Sequence, residues 1–153
     1  MPTFSEFIEL NFHDYFLVYT DGSVSTNSAG FSFFIPEKMV KYSDTLPHVT
    51  CSFMAECYAI TTALEYIKSL NITKCLIVSD SQVALISISA ITSPLILNIK
   101  ASLFELYSQD IIIKFLWVPG HSGISSNEVA DLLATSTKYR LNPSVRKIPS
   151  SDF

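Results

Sequence analysis

Apolar residues along this chain follow two rhythms, and the alternation between them outlines a fold. Phe16–Thr20, Phe31–Ile35, Met39–Leu46, Cys75–Ser79 and Ile111–Val118 are short runs dense in β-branched, aromatic and aliphatic residues. Such runs predict strands, and the continuous ones predict strands covered on both faces. Asp21-Gly22-Ser23 closes the first run, and Val24–Gly30 reads as a polar turn before the second. Pro36 stops the second run and Pro47 the third. Between the third and fourth, Phe53, Cys57, Ile60, Leu64 and Ile67 draw one stripe at the helical period, which ends near Asn71. A brief helix is predicted over Gln82–Ser87. Pro94 suits the first turn of another, striped by Ile96, Ile99, Leu103 and Leu106. After the loop Pro119–Gly123 comes a last helix, where Ser125 and Glu128 stand three apart as a capping box requires. Residues 1–15 show no clean period and read as a lead-in continuing from an upstream domain.

The predicted order is β-β-β-α-β-α-α-β-α. Three successive strands predict an antiparallel meander, and the later alternation predicts parallel strands with crossover helices. The expected class is therefore α/β, a five-stranded mixed sheet flanked by helices. At 153 residues the chain fits a single domain over 1–153.

Composition narrows the class without changing it. The chain is 48% hydrophobic with a mean hydropathy of +0.34. Its longest apolar run, Ile111–Val118, is far short of membrane length and carries Lys114. No membrane partner is expected. Glu6, Glu9 and Asp14 occupy the start, where a signal peptide needs basic and then apolar residues. Cys51, Cys57 and Cys75 form an odd set without a C-x-x-C pair, as reduced thiols do. The expected location is intracellular, in cytoplasm or nucleus, and not secreted. The net charge is −4, yet Lys138, Arg140, Arg146 and Lys147 give residues 138–153 a basic tail.

Chemistry enters with the positions of the acids. Asp21 and Asp80 each follow an apolar strand, and strand ends in such sheets face a common crevice. Glu56 flanks the first helical stripe beside Cys57, and Asp131 lies on the last helix. Any one of them alone reads as a turn or solvated residue. Four acids from four elements converging at one end of a sheet would repel, which implies a bound cation. Oxygen ligands favour Mg²⁺ or Mn²⁺ over Zn²⁺.

Four segments together carry a family resemblance. Thr20-Asp21-Gly22-Ser23, Ala55-Glu56-Cys57-Tyr58-Ala59-Ile60, Ser79-Asp80-Ser81, and Trp117–Gly123 running on through Asn127-Glu128-Val129-Ala130-Asp131 resemble type 1 ribonuclease H. The style is that of the ribonuclease H domain of non-LTR (LINE-like) retrotransposon polyproteins. The resemblance spans about Phe16 to Ala134 and implies the ribonuclease H-like fold. It also implies cleavage of the RNA strand of RNA–DNA hybrids by two Mg²⁺ ions, with Mn²⁺ as a substitute, held ~3.5–4 Å apart. It makes Asp21 the bridge between the metals, places Asp131 on the attacking-water side, and gives Glu56 and Asp80 to the leaving-group side. His121 becomes a proton carrier, for which an unperturbed pKa of ~6.5 is suited. Gly22, Ser23 and Ser81 become nucleic-acid contacts, with RNA sensed through its 2′-hydroxyls.

Two departures stand out. Met54 sits two residues before Glu56, where members often carry Asn or Gln that touches nucleic acid. Between Asp80 and Asp131 there are only two lysines, Lys100 and Lys114, so no basic protrusion grips the hybrid. Weak intrinsic affinity is expected of a monomeric domain covalently linked to a reverse transcriptase that supplies the grip. Alternatives are a strand-transferring integrase or DNA nuclease on the same general fold, and a catalytically weak or inactive module that supports a reverse transcriptase.

Overall fold

The computed structural model describes residues 2–46, 51–90, 93–120 and 123–137. Helix α1 (Phe4–Phe12) is followed by β1 (Phe16–Ser25), β2 (Ser28–Ile35), a 3-10 turn at Pro36–Lys38, and β3 (Val40–Thr45). Helix α2 (Ser52–Ile67), β4 (Lys74–Ser79), α3 (Gln82–Ala90), α4 (Pro94–Ser108), β5 (Ile112–Trp117) and α5 (Ser125–Thr137) complete the described chain.

The five strands form one sheet in the order β3-β2-β1-β4-β5. The β1–β2 and β2–β3 pairs are antiparallel, and β1–β4 and β4–β5 are parallel, as the strand pattern predicts. Alternation along the strands splits the core in two. Val18, Phe33, Ile35, Cys75 and Ile77 meet α2, α3 and α4 through Ile60, Leu64, Ile67, Ala84, Ile96, Ile99 and Leu106. Their neighbours Tyr19, Leu76 and Val78 face the opposite way, toward Ala130 of α5 and Phe4, Ile8 and Phe12 of α1. On the α5 side the packing is partly polar. The Ser32 hydroxyl donates to the Ala130 carbonyl at 2.5 Å, and Thr137 Oγ1 bonds Ser43 Oγ at 2.7 Å. Among the described residues no helix is long and apolar enough to cross a membrane.

Four expectations need correction. The lead-in is not irregular. Thr3 and Glu6 form a capping box, and Phe4, Ile8 and Phe12 share one helical face laid on the sheet. The first strand does not end at Asp21: β1 continues to Ser25, because Asp21–Ser25 pair with Ser32–Ser28 of β2. The turn there is only Thr26-Asn27. Met39 does not open β3 but sits in a left-handed conformation after the 3-10 turn, with φ 54°. Helix α5 begins on Ser125, and Ile124 offers the first acceptor carbonyl, to Glu128 N, so Ser125 is not the capping residue.

Candidate active site

The site forms where two strands stop and a third runs on. Thr20 is the register partner of Ser79, and Ser79 of Trp117, and with these residues β4 and β5 end. Strand β1 continues past them, held by β2, which sets Asp21 beyond the last rung of the parallel ladder. Asp21 and Tyr19, two residues apart on a strand, point to the same face as α5. Asp80 follows directly on Ser79.

Glu56 reaches this spot from the opposite face. It is not on a solvated flank of α2 but only 3% exposed. Gly22 explains how. A Cβ on Gly22 would lie 2.7 Å from the carbonyl carbon and Cβ of Ala55 and from Glu56 N. Only a glycine lets α2 press so closely on β1. Gly22 N–H then donates to Glu56 Oε2 at 2.7 Å, and the Ser79 hydroxyl donates to Oε1 at 3.2 Å. Gly22 therefore has a packing duty independent of any nucleic acid. Ser81 has a structural duty too: its Oγ accepts from Ala84 N at 3.2 Å and caps α3. Ser23 Oγ accepts from Thr135 Oγ1 of α5 at 3.4 Å.

Ligand oxygens of Asp21, Glu56 and Asp80 lie within 4.8 Å of one another. Asp131, half-buried on α5, comes close enough to hydrogen-bond Asp21. The structure thus brings together all four acids singled out in the sequence. His121 lies outside the described residues.

Burial and like charge act together here. Desolvation pushes the Asp21 carboxyl far above the usual carboxylate range, and the charges of Glu56, Asp80 and Asp131 push it further. Burial and the charge of Asp80 likewise raise Glu56, while the Gly22 and Ser79 donors pull against them. Among the described residues, the buried Asp21 Oδ2 has no hydrogen-bond partner. A 4%-exposed carboxylate with an unpartnered oxygen and acidic neighbours is costly unless positive charge balances it. The donor set is all carboxylate oxygen, which fits hard divalent cations.

Residues 13–138 match the family described as RNase H. The chain belongs to the RNase H family. The RNase H match takes in all four acids and leaves out α1. The chain is 30% identical over 143 residues to human ribonuclease H1, covering 79% of this chain and 49% of that protein. It thus spans about half the length of that relative. Two solved structures resemble it in fold at 21% sequence identity. A ribonuclease H1 isolated from compost by a metagenomic approach superposes with a TM-score of 0.64, over 82% of this chain and 96% of that one. The N-terminal RNase H domain of a Mycobacterium tuberculosis protein gives 0.62, over 80% and 94%.

Two contacts at this candidate site carry little sequence signal. Trp117 Nε1–H donates to the Asp80 carbonyl at 3.2 Å, and Ser79 anchors Glu56. The first follows from the β4–β5 register and the second from the seating of α2 over Gly22, and both are visible only once these elements have packed together.

Proposed function

We propose that this RNase H-family chain is an endoribonuclease that hydrolyses the RNA strand of RNA–DNA hybrids, with Asp21, Glu56, Asp80 and Asp131 holding two divalent cations. The observation that carries the reading is the convergence of four carboxylates from β1, α2, β4 and α5 around the unpartnered Asp21 Oδ2. Mg²⁺ is the expected ion and Mn²⁺ its substitute. Such paired ions activate water and neutralise charge on the leaving oxygen. Asp21 neighbours Asp131 as well as Glu56 and Asp80, which supports giving it contact with both ions. Glu56, held by Gly22 N–H and Ser79, offers a fixed ligand that needs no reorganisation. His121 takes the proton-carrying role in this reading, and Gly22, Ser23 and Ser81 border the path of the nucleic-acid backbone.

We further propose that the chain works as one RNase H-like domain, monomeric by itself, within a retrotransposon polyprotein beside a reverse transcriptase. The net charge of −4 supports this, because such a surface holds a polyanion weakly and gains from a tethered partner. Free thiols at Cys51, Cys57 and Cys75 support an intracellular place of action.

Cleavage of labelled RNA–DNA hybrid with Mg²⁺, Mn²⁺ or EDTA tests the reading, with single-stranded RNA, duplex RNA and duplex DNA as controls. Metal-dependent cutting confined to the RNA strand of the hybrid is the expected result. A folded protein that cuts nothing at any metal concentration would overturn it and favour a structural role beside the polymerase.

A further inference from the structure

Trp117 is the chain's single tryptophan, and it is 43% exposed at the last rung of the β4–β5 ladder. An indole so open to solvent contributes modestly to the core. Its polar edge is turned instead to the candidate site, where Nε1–H donates to the Asp80 carbonyl at 3.2 Å. The next residues press on the same spot. Val118 N–H donates to the Ser79 carbonyl at 3.0 Å. A Cβ on Gly120 would stand 3.2 Å from Asp80 Oδ2, so the bare Cα of Gly120 walls one side of that carboxylate.

Asp80 needs such support more than its neighbours do. Asp21 is embedded in a ladder and Glu56 in a buried helix, whereas Asp80 is half-exposed in the bend between β4 and α3. We propose, resting on the two-cation reading above, that Trp117 and Gly120 are positioning residues: the indole fixes the Asp80 main chain, and the glycine leaves its carboxylate room to face Asp21 and Glu56. Neither touches the reacting atoms. Their effect passes through the aim of one ligand, where a displacement of about 1 Å can cost about 100-fold in rate.

Two measurements test this apart from catalysis. Titrating Mg²⁺ into the wild-type protein moves its one indole N–H resonance, and the shift is absent in Asp80→Asn. Calorimetric Mn²⁺ binding is weakened about 10-fold in Trp117→Phe, which keeps the ring and loses the donor. Gly120→Ala weakens Mn²⁺ similarly, because the new methyl displaces the Asp80 carboxylate. The thermal midpoint of Trp117→Phe stays within a few degrees of wild type, and its kcat on hybrid falls while KM holds. Wild-type Mn²⁺ affinity in both Trp117→Phe and Gly120→Ala, with affinity lost in Asp80→Asn, overturns the positioning role and leaves the cation site standing. Wild-type affinity in Asp80→Asn overturns the cation reading itself. Should Trp117→Phe fail to fold, Gly120→Ala alone decides the positioning role.

Discussion

Replacing Asp80 by asparagine separates what the acidic cluster does for chemistry from what it costs the fold. Asp80 lies within 4.8 Å of ligand oxygens on both Asp21 and Glu56. Two unit charges at that distance repel by roughly 3 kcal/mol at an effective dielectric of about 20. Proton uptake relieves much of this, since burial raises both the Asp21 and the Glu56 carboxyl, the charge of Asp80 raises each further, and that of Glu56 adds to the rise of Asp21. A net gain of about 1–3 kcal/mol for Asp80→Asn in EDTA at pH 8 follows, read as roughly 3–10 °C in thermal midpoint for a chain of this size. The pH dependence has a definite sign. Groups raised in the folded state hold protons that the unfolded chain has already released, so their stabilising contribution is largest near pH 4 and is lost as pH rises. Wild-type midpoints in EDTA therefore fall between pH 5 and 8, and Asp80→Asn falls less. Mg²⁺ reverses the order, because a bound ion stabilises the native state by mass action and the variant holds it less well. Cleavage should drop by about 10³-fold or more, the equivalent of some 4 kcal/mol of lost transition-state stabilisation. A variant that cuts hybrid at the wild-type rate, or that loses stability in EDTA at pH 8, would overturn the account of the cluster.

Other substitutions probe the supports. Gly22→Ala forces a methyl against the α2 backbone at 2.7 Å, and should cost about 2–4 kcal/mol in chemical denaturation while displacing Glu56 and suppressing cleavage. Asp110 holds φ 63° at the end of α4, where Ile111 N–H returns to the Leu106 carbonyl and Asp110 N–H to that of Tyr107. Asp110→Gly should raise stability by about 0.5–1 kcal/mol without altering activity, as a urea midpoint would show. Ile8→Ala removes the middle contact of α1 with the sheet and should cost about 1–2 kcal/mol, with hydrogen exchange rising first across α1.

Much of this architecture is written locally. The strands from Phe31, Cys75 and Ile111 and the helices through Ile60 and Leu103 announce themselves by period alone, because each must bury one face or two. Their order then leaves few ways to build a mixed sheet. The four acids were legible for a similar reason: each stands in a short, recognisable segment beside an apolar element. Helix α1 was missed although its signals were present. Thr3 and Glu6 form a capping box, and Phe4, Ile8 and Phe12 step by four. Three contacts in a nine-residue helix make a faint stripe, and the surface they cover exists only after β1 and β4 have paired.

The site itself was decided in three dimensions. Asp, Gly and Ser after an apolar run favour a turn, yet β2 supplies a partner for every residue from Tyr19 to Ser25 and the strand continues. The period of α2 marked Glu56 as a flank residue. It is buried because Gly22, distant in sequence, has no side chain to hold the helix away. Register alone brings Trp117 beside Ser79 and so within reach of the Asp80 carbonyl. Periodicity reports what a segment must bury, which is a local demand of water on apolar surface. The distances among carboxylates depend instead on where separate elements stop, and that is settled only by their packing against one another.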